Sequence, residues 1–226
     1  MRSLPFELYM WILGVIHRIL CFEKKCRVRL HYQWRNLWNA LISLLRFVVN
    51  SESGLIASCN IFLLCQKVVT ILNLFITFGD TFLPCPATYD HLYYEIIRQA
   101  DTFDNLYSMV LRFVNGENAQ KEASSKLANQ LINIRSIISH FQPKIEQLCL
   151  TTLSEEEVLV VVRANYDTLT LKLYENLDVV QRYDEKPRET DFFAYLVKLI
   201  VLESRLKISS KSLSHKSVID QLSTIK

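Results

Sequence analysis

Apolar residues recur along this chain at spacings of three and four, the period of a helix that buries one side. Over residues 31–50 the stripe is Trp34, Leu37, Trp38, Leu41, Leu45 and Val48, while Asn36, Asn39, Ser43, Arg46 and Asn50 repeat the spacing on the opposite face. That is a surface helix with one side docked. A longer stripe of Tyr89, Tyr93, Ile96, Ala100, Phe103, Tyr107, Val110 and Val114 predicts one helix over 89–114. Thr88 is placed to cap its start, and Gly116 to end it in a left-handed turn. Leu127, Leu131, Ile134, Ile138 and Phe141 predict the next helix, which should stop before Pro143.

The sharpest local signal is Leu153-Ser154-Glu155-Glu156-Glu157-Val158. Ser154 and Glu157 form a capping box, Leu153 can staple onto Val158, and three carboxylates complement the dipole of a first turn. Helix-start chemistry explains this run without any catalytic role. The helix is expected to continue through Leu169, Leu173 and Leu177 to about Arg182. A charged connection over 184–189 leads to a further helix over 192–206. A Ser/Lys-rich linker over 209–217 then precedes a short terminal helix.

Two apolar segments raise the question of a membrane. Arg2 followed by residues 8–20 imitates a secretory signal, yet Glu7 interrupts its front, His17 and Arg18 its back, and no small-residue cleavage site follows. Pro5 after Ser3 reads instead as the start of an ordinary packed helix. Residues 55–78 carry a single charge, Lys67, and are long enough to span a bilayer. Lys67 would then sit near mid-membrane at a cost on the order of 3 kcal/mol. Gln66, Thr70, Asn73 and Thr77 also line up as a polar stripe, which suits a helix sandwiched between others. The segment is therefore expected inside a helical stack, with a single membrane-anchoring helix within 55–78 as the alternative.

Composition narrows the class. Only 4 glycines and 5 prolines occur in 226 residues, where average usage supplies about three times as many. None of the glycine-rich nucleotide-binding motifs can be written with Gly14, Gly54, Gly79 and Gly116. Half the residues are apolar, enough for a sizeable core. The net charge of +3 conceals nine basic and three acidic residues over 1–79, against seventeen and twenty in the remainder. Long helices joined by short turns match the paired units of armadillo and HEAT solenoids, whose faces are buried by stacking. A globular bundle is the other arrangement this pattern allows.

Candidate chemistry is sparse. The 6 cysteines show no C-x-x-C pair, and none of the asparagines begins an N-x-Ser/Thr acceptor, so the thiols read as reduced and cytosolic. The histidines are scattered, no H-E-x-x-H or G-x-S-x-G occurs, and Asp101 and Asp104 read as a solvated pair. No enzyme activity, metal or cofactor is expected. The basic run holding Lys24, Lys25, Arg27 and Arg29 reads either as a solvated helix end or as a patch for anionic lipid headgroups. It carries no nucleic-acid motif, and no nucleic-acid partner is expected.

Several long strings carry a resemblance. They are His31-Tyr-Gln-Trp-Arg-Asn-Leu-Trp-Asn-Ala-Leu-Ile, Asn73-Leu-Phe-Ile-Thr-Phe-Gly-Asp-Thr-Phe-Leu-Pro and Phe103-Asp-Asn-Leu-Tyr-Ser-Met-Val-Leu-Arg. Asn133-Ile-Arg-Ser-Ile-Ile-Ser-His-Phe-Gln-Pro-Lys-Ile-Glu and Val162-Arg-Ala-Asn-Tyr-Asp-Thr-Leu-Thr-Leu-Lys-Leu complete the set. Together they closely resemble the armadillo-like helical domain-containing protein 3 family, up to about Leu177, with the tail beyond Tyr183 fitting loosely. The resemblance implies an all-α, armadillo/HEAT-like solenoid corresponding to the C-terminal part of longer proteins, with helices expected upstream of Met1. An armadillo-like array is expected over 1–182 and less regular helices and tail over 183–226. It further implies a non-enzymatic adaptor at the cytosolic face of the Golgi membrane and in the cytoplasm. Its implied partners are phosphatidylinositol 4-kinase beta and a large Arf guanine-nucleotide exchange factor, with roles in Golgi organization and secretion. No partner-contacting residue is carried over from the resemblance.

Overall fold

A computed structural model describes residues 5–56, 60–115, 120–148, 154–180 and 189–210, with side chains up to 206. Among the described residues there are helices and no strand. In chain order they are α1 (Phe6–Cys26), α2 (Trp34–Asn50), the single turn α3 (Glu52–Leu55), α4 (Ile61–Phe82), α5 (Pro86–Arg98) and α6 (Ala100–Val114). There follow α7 (Lys121–Gln130), α8 (Ile132–Leu148), α9 (Glu155–Ala164) and α10 (Glu189–Ser210). The chain divides into two compact units, Met1–Val180 and Gln181–Lys226. In the second unit α10 exposes apolar side chains that include Phe192, Phe193, Val197 and Leu202.

The first unit is a two-layer helical stack. One layer runs α1, α4, α7, with α4 packed against both its neighbours. The other begins with α2, which packs on α5 and α6, and these in turn pack on α8. Cross-layer contacts join α2 to α4, α4 to α5, α6 to α7 and α7 to α8. Neither face of such a helix is stable alone, and stacking buries both in one continuous apolar core.

Helix α4 shows why the apolar segment has its composition. Phe62, Leu64, Val68, Leu72 and Phe75 are fully buried, and the ring of Phe75 meets those of Trp34, Trp38 and Phe82 at 5.4, 5.6 and 5.4 Å. Its polar stripe faces α7. Gln66 Nε2 donates to the Ala123 carbonyl at 2.5 Å and Asn73 Nδ2 to the Gln130 carbonyl at 2.8 Å, while Gln130 Nε2 donates to Thr70 Oγ1 at 3.0 Å. By length and composition α4 is the one described helix able to cross a membrane, yet 67% of its most apolar stretch is buried within the protein. It starts at Ile61 behind the cap residue Asn60, whose side chain accepts from Leu63 N at 3.1 Å, so Leu55 belongs to α3 instead.

Three expectations about helix length need correcting. The stripe over 89–114 is two helices, broken at Gln99 (φ −106°, ψ 23°), and the first starts at Pro86 with Cys85, not Thr88, at the cap position. A single non-helical residue keeps the apolar phase, so periodicity alone conceals a bend that sends α5 onto α8 and α9 and α6 onto α2 and α7. The next stripe is likewise split at Leu131, and α8 runs through Pro143 to Leu148. Pro143 and Ser139, whose carbonyl loses its helical donor, both face solvent, where water can satisfy the group.

The third correction concerns α9. Its capping box forms as expected, with Glu157 Oε2 accepting from Ser154 N at 2.7 Å and Ser154 Oγ accepting from Glu157 N at 3.4 Å. The helix then stops at Ala164 instead of reaching Arg182, and after a 3-10 turn at Tyr166–Thr168 the chain is extended. Leu169 and Leu171 turn inward while Thr170 and Lys172 turn outward, an alternation of period two that no helix can bury. Asn133 holds this strap by accepting from Lys172 N at 2.8 Å and donating to its carbonyl at 2.9 Å. The strap ends on α1, where His17 Nε2 bonds the Leu177 carbonyl at 2.7 Å. Gly116, Leu153, the 181–188 part of the charged connection and everything after Ser210 lie outside the described residues.

Candidate functional site

The basic run lies at the C-terminal end of α1 and in the connection to α2. Helix α1 ends at Arg27 in the left-handed region (φ 53°), its backbone N–H turning back to the Glu23 and Lys24 carbonyls. That turn divides the four cations. Lys24 Nζ pairs with Asp178 of the strap at 2.5 Å and lies 4.0 Å from the centroid of the Phe78 ring. Arg29 donates to the Leu83 carbonyl at 2.6 Å and to the Asp80 carbonyl at 2.9 Å, placing its charge at the negative end of α4. Lys25 and Arg27 are exposed, and neither forms an ion pair among the described residues. Two of the four cations therefore tie α1 to the stack, and two face solvent.

The same helix carries a feature that sequence reading misses. Its inner face buries Leu13, His17, Leu20 and Cys21. Its outer face exposes Leu8, Trp11, Ile12, Val15, Ile19 and Phe22, with Trp11 68% and Phe22 60% accessible. Read as one apolar segment, residues 8–20 do not reveal that half of them point away from the core. The signal was the excess of apolar residues over what one buried stripe needs.

Elsewhere the polar chemistry is structural. Arg35 on α2 bonds Glu95 of α5 at 2.5 Å and forks onto Glu155 of α9 at 2.9 and 2.8 Å, holding the Glu155 carboxyl below the usual range. Asp90 accepts from Arg163 at 2.7 Å and from the Tyr166 hydroxyl at 2.9 Å. Burial pushes the Tyr89, Tyr93 and Tyr166 hydroxyls upward. The exposed Cys85 thiol is lowered, chiefly by its bond to Thr88, whereas burial pushes Cys65 up to about 12. Asp101 and Asp104 are exposed, in keeping with a solvated pair. Among the described residues, no three His, Cys, Asp or Glu side chains gather as a metal-binding group. Cys21 Sγ lies 3.7 Å from His17 Nε2 on the buried side of α1, where burial raises the thiol and lowers the imidazole.

A stack of paired helices invites comparison with known proteins. The family model for the C-terminal region of armadillo-like helical domain-containing protein 3 matches residues 1–206. The chain belongs to this family. Armadillo-like helical domain-containing protein 3 from Danio rerio is 51% identical to it, that from Homo sapiens 52% and that from Xenopus laevis 50%. Each alignment covers 100% of this chain and 33% of the relative, so the chain spans about a third of their length. No solved structure matches it. The match extends through α10 to residue 206, past Tyr183, where the strings alone had suggested that family likeness becomes loose. The name shared by these relatives describes an armadillo-like helical fold, which is the architecture seen here.

Proposed function

We propose that this chain is a non-enzymatic interaction scaffold acting at the cytosolic face of the Golgi membrane. In this reading it supports phosphatidylinositol 4-kinase beta and recruitment of an Arf guanine-nucleotide exchange factor, and so Golgi organization and secretion. Membership of the family over residues 1–206 is the observation that carries it. The burial of α4 favours a scaffold over a protein anchored by that helix. Contact with the membrane would then be peripheral, with Lys25 and Arg27 the exposed cations for anionic headgroups and Lys24 and Arg29 held in place behind them.

Co-expression with the kinase tests the reading. The chain is expected to co-purify with the kinase and to raise Golgi phosphatidylinositol 4-phosphate. A chain that does neither lacks the adaptor role.

A further inference from the structure

We propose that Glu23 is a proton-controlled latch on the seam between α1 and α2. With its carboxyl protonated, the connection over 27–33 closes above it; ionised, the carboxylate drives that connection open. The inference concerns how the fold moves and needs no partner, so it stands or falls apart from the scaffold role.

Glu23 lies in the last turn of α1 and is 2% exposed. Neither carboxylate oxygen reaches solvent, and neither has a hydrogen-bond partner among the described residues. The surroundings are apolar. Ile19 and Leu20 of α1, Leu30 and Tyr32 of the connection, and Trp34 and Leu37 of α2 border a cavity of about 280 Å³ beside it. The Trp34 indole N–H is spent on the Leu30 carbonyl at 3.3 Å and is not free to answer the carboxyl.

No cation faces it from the elements packed around it. On α1, Lys24 turns to Asp178 of the strap, while Lys25 and Arg27 are exposed. In the connection Arg29 is held by the Leu83 and Asp80 carbonyls, and Tyr32 is the one other titratable side chain of the cavity wall. Helix α4 packs against α1 as well, but its Lys67 acts on His17. An ionised carboxylate in such a place is costly, whereas its protonated form leaves only a neutral polar group unmet.

The weakest part of the cover decides how the charge escapes. Glu23 is enclosed by two long helices and by the connection, which is not helical and whose Val28, Leu30 and Tyr32 are exposed. Swinging into the cavity, the carboxylate meets Leu30 and Tyr32 first, and displacing them admits water. Burial raises the Glu23 pKa above the ordinary glutamate value. A carboxyl so raised favours the closed form fully below that ordinary value, and the contribution is lost as pH climbs through the raised one. Acid therefore shuts the latch and alkali loosens it. His17 has the opposite sign, so the two must be read separately.

Amide hydrogen exchange of the full chain at several pH values, each compared with Glu23→Gln at the same pH, makes that separation. Exchange over the end of α1 and residues 28–37 should quicken in the native chain relative to the variant as pH rises. The ratio should grow by up to about tenfold per pH unit and then level off, while α6 and α8 show no such trend. Carbon-13 NMR of the Glu23 carboxyl should give a midpoint above the ordinary glutamate range, and Tyr32→Ala, which thins the cover, should bring it back toward that range. The carboxyl titration is read on the native chain, so it decides the matter even if Glu23→Gln folds poorly. A midpoint at the ordinary value, or an exchange ratio that does not change with pH, overturns the proposal. A raised midpoint that Tyr32→Ala leaves in place overturns it too, because the connection would then not be the cover.

Discussion

At the scale of single residues, long-range polar contacts hold α1 to the strap. His17 is buried in α1, and its Nε2–H donates to the Leu177 carbonyl. Burial is the main cause lowering its pKa below 6.5, helped by Lys67 and Arg18 and opposed by that carbonyl and Asp178. A lowered histidine is neutral in the fold but takes a proton in the unfolded chain near pH 6.5. The contribution is therefore complete above about pH 6.5 and is lost as pH falls toward the lowered value. Asp178, held down by Lys24, weakens only in a lower window, below the ordinary range of an aspartate. Urea unfolding at pH 7.5 and pH 5.5 should show a drop in midpoint for the native chain. The drop should be clearly smaller for His17→Gln, which keeps a donor to Leu177 without the titration. Equal drops in the two proteins would mean that His17 does not titrate differently on folding.

Individual elements differ in how far they can be read from sequence. The stripe over 31–50 and the capping box at Ser154 act within a few residues, so local pattern is sufficient and both appear where expected. The breaks at Gln99 and Leu131 are invisible because a one-residue interruption leaves the three-and-four spacing in phase. The strap had a signal in its alternating Thr-Leu-Thr-Leu-Lys-Leu, but Leu169, Leu173 and Leu177 also fit a helical period and concealed it. The candidate site was half legible: its cations stand out as a run, while their partners lie 54 and 154 residues away. Nor could the sequence show that the run leaves Glu23 buried behind it. The strap is docked through Asn133, which is 1% exposed and meets both the N–H and the carbonyl of Lys172. Asn133→Ala removes both bonds and should cost about 2–3 kcal/mol. Amide hydrogen exchange should quicken over residues 169–178 while α2 stays protected, and unchanged protection of the strap would place its anchor elsewhere.

For the first unit as a whole, the decisive term is where the apolar surface of α4 goes. A 22-residue helix is about 33 Å long, enough for a bilayer, and length alone therefore does not separate a core helix from a span. Its environment does. Phe75 sits fully buried among Trp34, Trp38 and Phe82, and Phe62 packs on Phe113 at 4.9 Å. Asn73 is 0% exposed yet bonded to α7. Moving α4 into lipid would open cavities opposite these rings, each comparable to a Phe→Ala truncation at about 3–5 kcal/mol. It would also strip Gln66 and Asn73 of partners that hydrocarbon cannot replace. Water-filled gaps in α2 and α7 would add to the loss. On the proposed reading, membrane attachment runs through the surface and not through α4. Alkaline carbonate treatment of Golgi membranes carrying the chain should release it to the supernatant. Raised salt should weaken liposome binding if Lys25 and Arg27 contribute. Retention in the carbonate pellet would mean that α4 leaves the stack for the bilayer, and the neighbours that now enclose it would then have to close on one another.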